Sequence, residues 1–561
     1  ARRALLDDFS HTYSRKAKEI VLAMMVELKF TKDEIMLMYL NAISYGGNAY
    51  GVQLAAERYF GKDASELSLA EAAILAGIPQ RPTHYWPYGS YRYSSLNIDL
   101  TEETLGDRKI TGEADLTEKE FTRGLIGQTF TMPNESTFTI NGRSNLVLDR
   151  MHALGMISDD ELATAEDDLA NMEFEENRGN IKAPHFVLWV KQLLEEKYGA
   201  AVIQEGGLKV YTTLDPAHQD AAEAAIEQYW ESNWENYNTK NAAMVSVHPQ
   251  TGQILAMVGS ANYYDIEGEI DGQVNMITSN RQLGSTMKPF VYAMAFLNQF
   301  SPATVVYDVS THFGGGYQPA NYDGTFGGPM SMRYALAQSR NIPAIKAYFM
   351  AGSEDALVPF LRELGLASIK EDWGYGSTLA LGTAEVTPLE VAEAYTVLAS
   401  NGQHVAPSPI LKIENADGEI LEMWEEKNLE RTQVLDPEIA FLVNDILSDP
   451  AVNLGPSVRV ESLNNAAKTG TSSKPTENGG ERPGNTWLAA YTPNLVTITW
   501  AGNADGEAMN YNASGYNTAA PIWKTYQNAV LEHMEPTTWA RPEGIKDVAV
   551  SKASGKLPND N

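Results

Sequence analysis

The chain has 561 residues, 43% of them hydrophobic and 20% charged, which is ordinary globular make-up and enough for roughly three or four domains at about 150 residues each. Lys plus Arg number 42 against 73 Asp plus Glu, a formal charge of -31, so the summed field repels phosphate backbones and anionic membrane surfaces, and no nucleic-acid partner is expected. There is no cysteine, which excludes disulfides, thiolate zinc sites and a Cys nucleophile together.

The chain opens on ARRALLDDFSHTYSRKAKE, already in helical pattern, and has no run of about 18 apolar residues and no leader pattern; it reads as a fragment of a longer protein. The first hundred residues are expected to be helical. Thr31 with Glu34, and Ser68 with Glu71, have the spacing of capping boxes, and the second helix should stop at Gly77 and Pro79. From about Thr83 to Gly142 the periodicity dissolves into polar, acidic, tyrosine-bearing sequence, expected to be a long inserted loop or a small subdomain. Helical pattern resumes at NLVLDRMHALGMI. Residues 156–240 read as a connector, with a helix at HFVLWVKQLLEEKYG, a strand at GGLKVYTTLD and a helix at HQDAAEAAIEQYW.

Beyond Asn241 the pattern changes. AAMVSVHPQTGQILAMVGS is two apolar strands around a turn, and NTWLAAYTPNLVTITWAGN is a second hairpin turning at Pro493 and Asn494. Strands at both ends of a helical middle predict an α+β domain whose sheet is assembled from distant parts of the chain.

Three short strings in that domain carry chemistry. In GSTMKPF, Ser285 and Lys288 stand three apart, so a helix places them on one face. A serine hydroxyl is a poor nucleophile until a base takes its proton, and a lysine can do so only if its pKa falls from about 10.4. Burial beside a second cation supplies about three units, roughly 4 kcal/mol. AAKTGTSS offers that cation in Lys468, a close backbone approach for substrate at Gly470, and hydroxyls and amides at Thr469 and Thr471 along an edge strand, suited to an anionic substrate end. QSRNIPA places Ser339 and Asn341 in a turn ahead of Pro343, suited to relaying a proton and holding an amide. Taken singly, each string has a plainer reading: Ser285 as a helix cap, KTG as an ordinary strand end, and Ser339 as a turn former, since Ser95-Leu96-Asn97 and Ser462-Leu463-Asn464 share its spacing. The order helix start, inter-helix turn, strand is what joins them.

With these strings, GGLKVYTTLDP, YQPANYDGTFGGPMSMRYALAQSRNIPA, ALGTAEVTPLEVAEAY and AAPIWKTY, the chain resembles the penicillin-binding proteins, in particular the bifunctional class A type, over nearly its whole length. The resemblance implies an α+β multidomain protein. Residues 1–155 would be the C-terminal portion of a mostly helical, lysozyme-like glycosyltransferase lobe with an insertion at about 83–142, and 156–240 a connector. Residues 241–540 would be a serine β-lactamase-like transpeptidase domain, an antiparallel sheet with a helical subdomain, and 541–561 a tail.

The implied activity is that of a DD-transpeptidase. Ser285 attacks the penultimate D-Ala carbonyl of a peptidoglycan stem peptide, D-Ala leaves, and an amine of a second stem peptide resolves the acyl-enzyme, with β-lactams acylating the same serine. By the same resemblance Lys288 accepts the proton of Ser285, Ser339 shuttles it toward the leaving nitrogen beside Lys468, and Asn341 holds the acyl amide. Thr469 and Thr471 bind the substrate carboxylate, Gly470 lies with them at the strand, and the amides of Ser285 and Thr471 form the oxyanion hole.

SRKAKEI, KDEIMLMYLNAISYGGNAYGV and RSNLVLDRM match glycosyltransferase motifs, with Glu19 as one of two carboxylates and Arg15 or Lys16 near a donor pyrophosphate. The other carboxylate belongs to an upstream motif not in the sequence, so glycan polymerisation is not expected of this polypeptide. Two other readings compete with the transpeptidase: a DD-carboxypeptidase or β-lactam hydrolase, and a non-catalytic cell-wall scaffold. No metal or cofactor is expected. The expected partners are D-Ala-D-Ala stem peptides, β-lactams and cell-wall synthesis proteins, at the outer face of a bacterial cytoplasmic membrane reached through an anchor outside this sequence.

Overall fold

The computed structural model of the chain describes residues 13–46, 49, 51–82, 84–89, 91–101, 108–117, 119–174, 181–199, 202–203, 207–265, 270–415, 418–452, 455–476, 480–531, 537–551 and 553–557, with the backbone alone at 13–19. It divides into two compact units, Ala1–Ile181 and Lys182–Asn561. The division falls inside the segment 156–240 expected as a connector, whose helices are thus shared between the units.

The first unit is mostly helical: α1 (Tyr13–Lys29), α2 (Lys32–Ala42), α3 (Val52–Phe60), α4 (Leu69–Gly77), α5 (Arg143–Ala153) and α6 (Asp159–Ala170). Both capping boxes form. Thr31 N donates to Glu34 Oε2 at 2.8 Å and Glu34 N to Thr31 Oγ1 at 3.3 Å, and Ser68 and Glu71 repeat the exchange at 2.7 and 3.2 Å. These reciprocal bonds satisfy first-turn amides that have no partner inside a helix. The apolar face of α4 packs with Tyr59, Phe60 and Leu148 into one core. The segment expected as an insertion forms two small antiparallel pairs, Ser95–Leu96 with Phe121–Thr122 and β1 (Gln128–Thr131) with β2 (Thr137–Ile140). A separate core of Ile110, Met132, Phe138 and Ile140 lies beneath them.

In the second unit, α7 (Pro184–Tyr198) and α8 (Pro216–Tyr237) precede a five-stranded antiparallel sheet. Its strands are β3 (Asn241–Val247), β4 (Ile254–Val258), β5 (Ala466–Pro475), β6 (Glu481–Tyr491) and β7 (Val496–Gly502), in the order β5-β6-β7-β3-β4. Residues more than 200 positions apart in the chain therefore pair, Ser246 with Thr497 for example. Every residue of β3 is buried because both faces are covered. Ala243, Val245 and Val247 join the large core under the helical middle, while Ala242 and Met244 join a second core with Ala222, Ala225 and Ile226 of α8 and with Ile522 and Tyr526 of the helix Ala519–Val530. Strict alternation of direction along a strand explains the split.

The helical middle comprises α9 (Lys288–Leu297), α10 (Met332–Ala337), α11 (Asn341–Met350), α12 (Ser353–Glu363), α13 (Pro388–Ala399) and α14 (Pro437–Ser448), and α15 (Ala519–Val530) follows β7. Two features differ from the sequence expectation. The strand Lys209–Thr212 pairs with Ile410–Glu414 in a separate small sheet rather than standing in a connector. Within the expected tail, a Cβ at Gly544 would lie 2.8 Å from Glu438 Oε1 and one at Gly555 2.2 Å from Ala303 O, so this segment packs closely against the domain.

Candidate active site

Residues Gly284–Met287 make a single 3-10 turn that runs directly into α9, with Pro289 in the first helical turn, where its missing N–H has no intrahelical partner to lose. The apolar side chains of α9 draw the helix into the core, and the turn is pressed flat on the edge strand β5. Gly284 has φ +58°, and a Cβ there would lie 2.5 Å from Thr471 O. A Cβ at Gly470 would meet Leu283 O at 2.7 Å and Thr286 Cγ2 at 2.9 Å. Three bonds from outside hold the turn: Trp487 Nε1 donates to Gln282 O at 2.9 Å, Gly284 N to Gly382 O at 3.0 Å, and Tyr395 OH to Thr286 O at 2.8 Å. Ser285 is left half-buried beside the unpaired side of β5, with no side-chain hydrogen-bond partner among the described residues.

Two lysines converge behind it. Lys288 is fully buried, and its Nζ donates to Ser339 O at 2.6 Å, to Asn341 Oδ1 at 2.8 Å and to Ser339 Oγ at 3.3 Å. Lys468, 1% exposed, donates to the same Ser339 Oγ at 2.8 Å and to Thr469 O at 2.8 Å. One hydroxyl thus stands between two amines. Burial, then repulsion from Lys468 and Arg340, holds Lys288 well below an ordinary lysine, against the opposite pull of Asp308. Burial lowers Lys468 from 10.5 to about 7. The repulsion is felt by whichever amine would charge second, so once Lys288 is neutral Lys468 titrates as a single buried amine.

Ser339 reaches this position through an uncommon backbone. Its φ is +55°, the left-handed region that side-chain-bearing residues rarely enter, in the turn between α10 and α11. Such a conformation costs of order 1 kcal/mol or more and persists only where its surroundings enforce it. The enforcing group is the next residue. Arg340 is buried, with Nε on Asp308 Oδ2 at 2.8 Å, Nη1 on Asp323 Oδ2 at 2.8 Å and Nη2 on Thr325 O at 2.7 Å. Asp308 also accepts from Asn321 Nδ2 at 2.7 Å and Gly327 N at 2.9 Å, and Asn321 Oδ1 accepts from Asn341 N at 2.8 Å. Sequence reasoning missed this network. The direct partners of Arg340 lie 15 to 32 positions from it, and the only local signal was a cation inside QSRNIPA.

The structure therefore gathers Lys288, Ser339, Asn341 and Lys468 by direct bonds and sets Ser285 one helical turn before Lys288. Ser95-Leu96-Asn97 and Ser462-Leu463-Asn464 bond neither lysine. Two expected roles are modified. Gly470 is required by the protein's own turn, since the space beside it is occupied by Leu283 and Thr286 rather than left for substrate. Asn341 opens α11 with its Oδ1 on Lys288 and its Nδ2 donating to Ala320 O at 2.8 Å, so both ends of its amide are engaged within the protein and it orients a lysine. Thr469 is half-buried and Thr471 exposed on β5, where Gly515 N donates to Thr471 Oγ1 at 3.4 Å. Arg15, Lys16 and Glu19 fall on α1, but their side chains lie outside the described residues.

The chain's likeness to known proteins agrees with this geometry. Residues 1–102 match the transglycosylase family and residues 242–526 the penicillin-binding protein transpeptidase domain. Penicillin-binding protein 2D of Bacillus subtilis (strain 168) is 29% identical over 573 residues, covering 99% of this chain and 72% of that protein. Penicillin-binding protein 1A of Pseudomonas aeruginosa is 25% identical over 663 residues, covering 97% and 78%. Among solved structures, penicillin-binding protein 1A from Haemophilus influenzae aligns with a TM-score of 0.65 at 24% identity, covering 94% of this chain and 90% of that one. Penicillin-binding protein PonA1 from Mycobacterium tuberculosis aligns at 0.55 and 23% identity, covering 67% and 97%.

Proposed function

The chain belongs to the penicillin-binding protein transpeptidase family, and on that premise we propose that it is a serine-type DD-transpeptidase whose acyl-enzyme forms on Ser285. Its relatives along the whole chain are class A penicillin-binding proteins, enzymes of peptidoglycan synthesis in the cell envelope. The observation that carries the serine assignment is the pair of buried amines sharing Ser339 Oγ, one of them on Lys288, a single turn after Ser285 in the chain.

In this mechanism Lys288 acts as a neutral amine, the form that its burial and the repulsion from Lys468 and Arg340 favour. Two N–H groups of the neutral amine donate to Ser339 O and Asn341 Oδ1, and its lone pair then lies on the side of Ser339 Oγ at 3.3 Å; when substrate binds, a small rotation of the Ser285 hydroxyl or of the amine brings that lone pair to the Ser285 Oγ proton as the oxygen attacks the penultimate D-Ala carbonyl. The amides of Ser285 and Thr471 hold the resulting oxyanion. Removing one such donor typically slows a reaction of this kind about 100 to 1,000-fold. As the peptide C–N bond breaks, the proton travels from Lys288 through Ser339 Oγ, with Lys468 beside it, to the departing D-Ala nitrogen. An amine of a second stem peptide then attacks the Ser285 ester, and its surplus proton returns by the same path to Ser285 Oγ. Thr469 and Thr471 receive the substrate's terminal carboxylate, drawn by the charge of Lys468. A β-lactam enters the same path but has no separate leaving fragment to diffuse away.

The site works at the outer face of the cytoplasmic membrane, where stem peptides are found; no helix of the described residues is long and apolar enough to cross a membrane. Incubation with a donor pentapeptide and a D-amino acid or glycyl acceptor tests the function. Exchange of the terminal D-Ala for the acceptor is expected, and release of D-Ala without exchange would make the chain a carboxypeptidase instead.

A further inference from the structure

The C-terminal end of α8 reads WESNWENYN and is not used by the mechanism above. Trp230 and Trp234 stand four apart and so share a helix face, with ring centroids 5.9 Å apart and planes inclined at 39°. They line a groove of about 670 Å³ together with Glu231, Glu235, Asn238 and Asn510. Both indoles are only half-buried, although they continue the stripe of α8 that supplies Ala222 and Ile226, with Ala225, to the core one and two turns earlier. Two tryptophans facing a groove rather than the core call for an occupant.

The chemistry of the rim narrows what that occupant is. Asn238 Nδ2 donates to Ala508 O at 3.2 Å and to Glu507 Oε1 at 3.5 Å, and Asn510 Nδ2 to Asn236 O at 3.2 Å, while neither amide oxygen accepts a hydrogen bond among the described residues. Neither Glu231 nor Glu235 has a hydrogen-bond or ion-pair partner among the described residues, and neither do the two indole N–H groups. The groove therefore offers four acceptor groups, two donors and two aromatic faces, and no cation lines it. Phosphates and other anions are disfavoured. A neutral ring with an apolar C–H face and a rim of hydroxyls fits: the face lies on indole, and the hydroxyls donate to carboxylate and amide oxygens.

The groove also belongs to the same end of the sheet as the candidate active site. Asn241, Gly502, Asn485 and Ser472 lie in register across four strands at that end. The loop after β7 then borders the groove at Asn510, whose N–H donates to Tyr237 O at 2.8 Å, and five residues later reaches Thr471 at Gly515.

We propose that Trp230 and Trp234 form a saccharide-binding subsite that holds a peptide-bearing glycan strand while its stem peptide is processed at Ser285. The identity of the glycan rests on the transpeptidase reading; the saccharide subsite itself does not, and the test separates the two. Ser285→Ala protein is titrated with N-acetylchitotetraose, a peptide-free β-linked amino-sugar chain, while tryptophan fluorescence is followed. Saturable quenching is expected, weakened about tenfold or more in Trp234→Ala, a loss within reach of one aromatic stacking contact in a desolvated groove. Trp234→Phe, which keeps a ring face, should retain most of the affinity, and unchanged penicillin labelling of each Trp234 variant on the Ser285 background shows that it folds. Quenching that is absent in the parent, or equal in parent and Trp234→Ala, overturns the subsite. So does a groove that ignores the sugar but binds tetramethylammonium and loses it in Glu231→Gln/Glu235→Gln, which would make it a cation cage. Loss of transpeptidation with sugar binding intact would instead strike only the serine assignment.

Discussion

Replacing Lys468 by methionine should destroy acylation and stabilise the fold at neutral pH. The ammonium is buried at 1% exposure, and lowering its pKa from 10.5 to about 7 corresponds to a penalty of about 5 kcal/mol on the charged form. Below pH 7 both the folded and the unfolded chain carry the proton, so the whole penalty is felt. Between pH 7 and 10.5 only the unfolded chain carries it, and the penalty shrinks by about 1.4 kcal/mol per pH unit, vanishing above that window. Methionine removes the penalty at every pH but also removes the bonds to Ser339 Oγ and Thr469 O, which together contribute about 3 kcal/mol. The variant should therefore be more stable than the parent by about 2 kcal/mol at pH 7, equal to it near pH 8.5, and less stable by about 3 kcal/mol at pH 10.5. Thermal melts of both proteins across pH 6 to 10.5, with penicillin labelling at each pH, measure this. A variant that melts below the parent by the same margin at every pH would refute a buried, charge-penalised amine at this position.

The remaining predictions concern the geometry around that amine. Gly470→Ala forces a methyl to within 2.7 Å of Leu283 O, so the turn carrying Ser285 must shift; acylation by penicillin should slow about 10 to 100-fold with only about 1–3 kcal/mol lost in chemical denaturation. An unchanged stopped-flow acylation rate would show that the turn can move without consequence. Arg340→Ala leaves Asp308 buried without its main counter-charge and should cost about 3–5 kcal/mol, whereas Arg340→Ala/Asp308→Asn should cost less than Arg340→Ala alone. Additive losses in a double-mutant cycle would argue against the network. Ser339→Ala should reduce the acylation rate about 100-fold or more while leaving the apparent affinity for penicillin nearly unchanged, because the hydroxyl serves proton movement rather than binding.

How much of this was legible in the sequence depended on range. Capping at Thr31 and Ser68, the two hairpins, and the elements carrying Ser285, Ser339 and Lys468 are local patterns, and each formed where the pattern placed it. The requirement that a second lysine approach the first followed from the chemistry of activating serine, and the two amines meet on Ser339. What sequence could not supply was the cause of Ser339's left-handed backbone, because Asp308 and Asp323 are ordinary acidic residues until folding brings Arg340 between them. Gly470 was misjudged for the same reason: a glycine needed for a close approach is visible in a string, but whether the neighbour is substrate or the protein's own turn is not. Likewise the strand Lys209–Thr212 gave no sign that its partner would be Ile410–Glu414, about 200 residues away.

Intact-mass analysis after brief exposure to penicillin, followed by peptide mapping, tests the assignment of the nucleophile most directly. One equivalent of penicilloyl adduct is expected on the peptide containing GSTMKPF, absent from Ser285→Ala and strongly reduced in Lys288→Met. An adduct on any other residue, or equal labelling of the parent and Ser285→Ala, would contradict it.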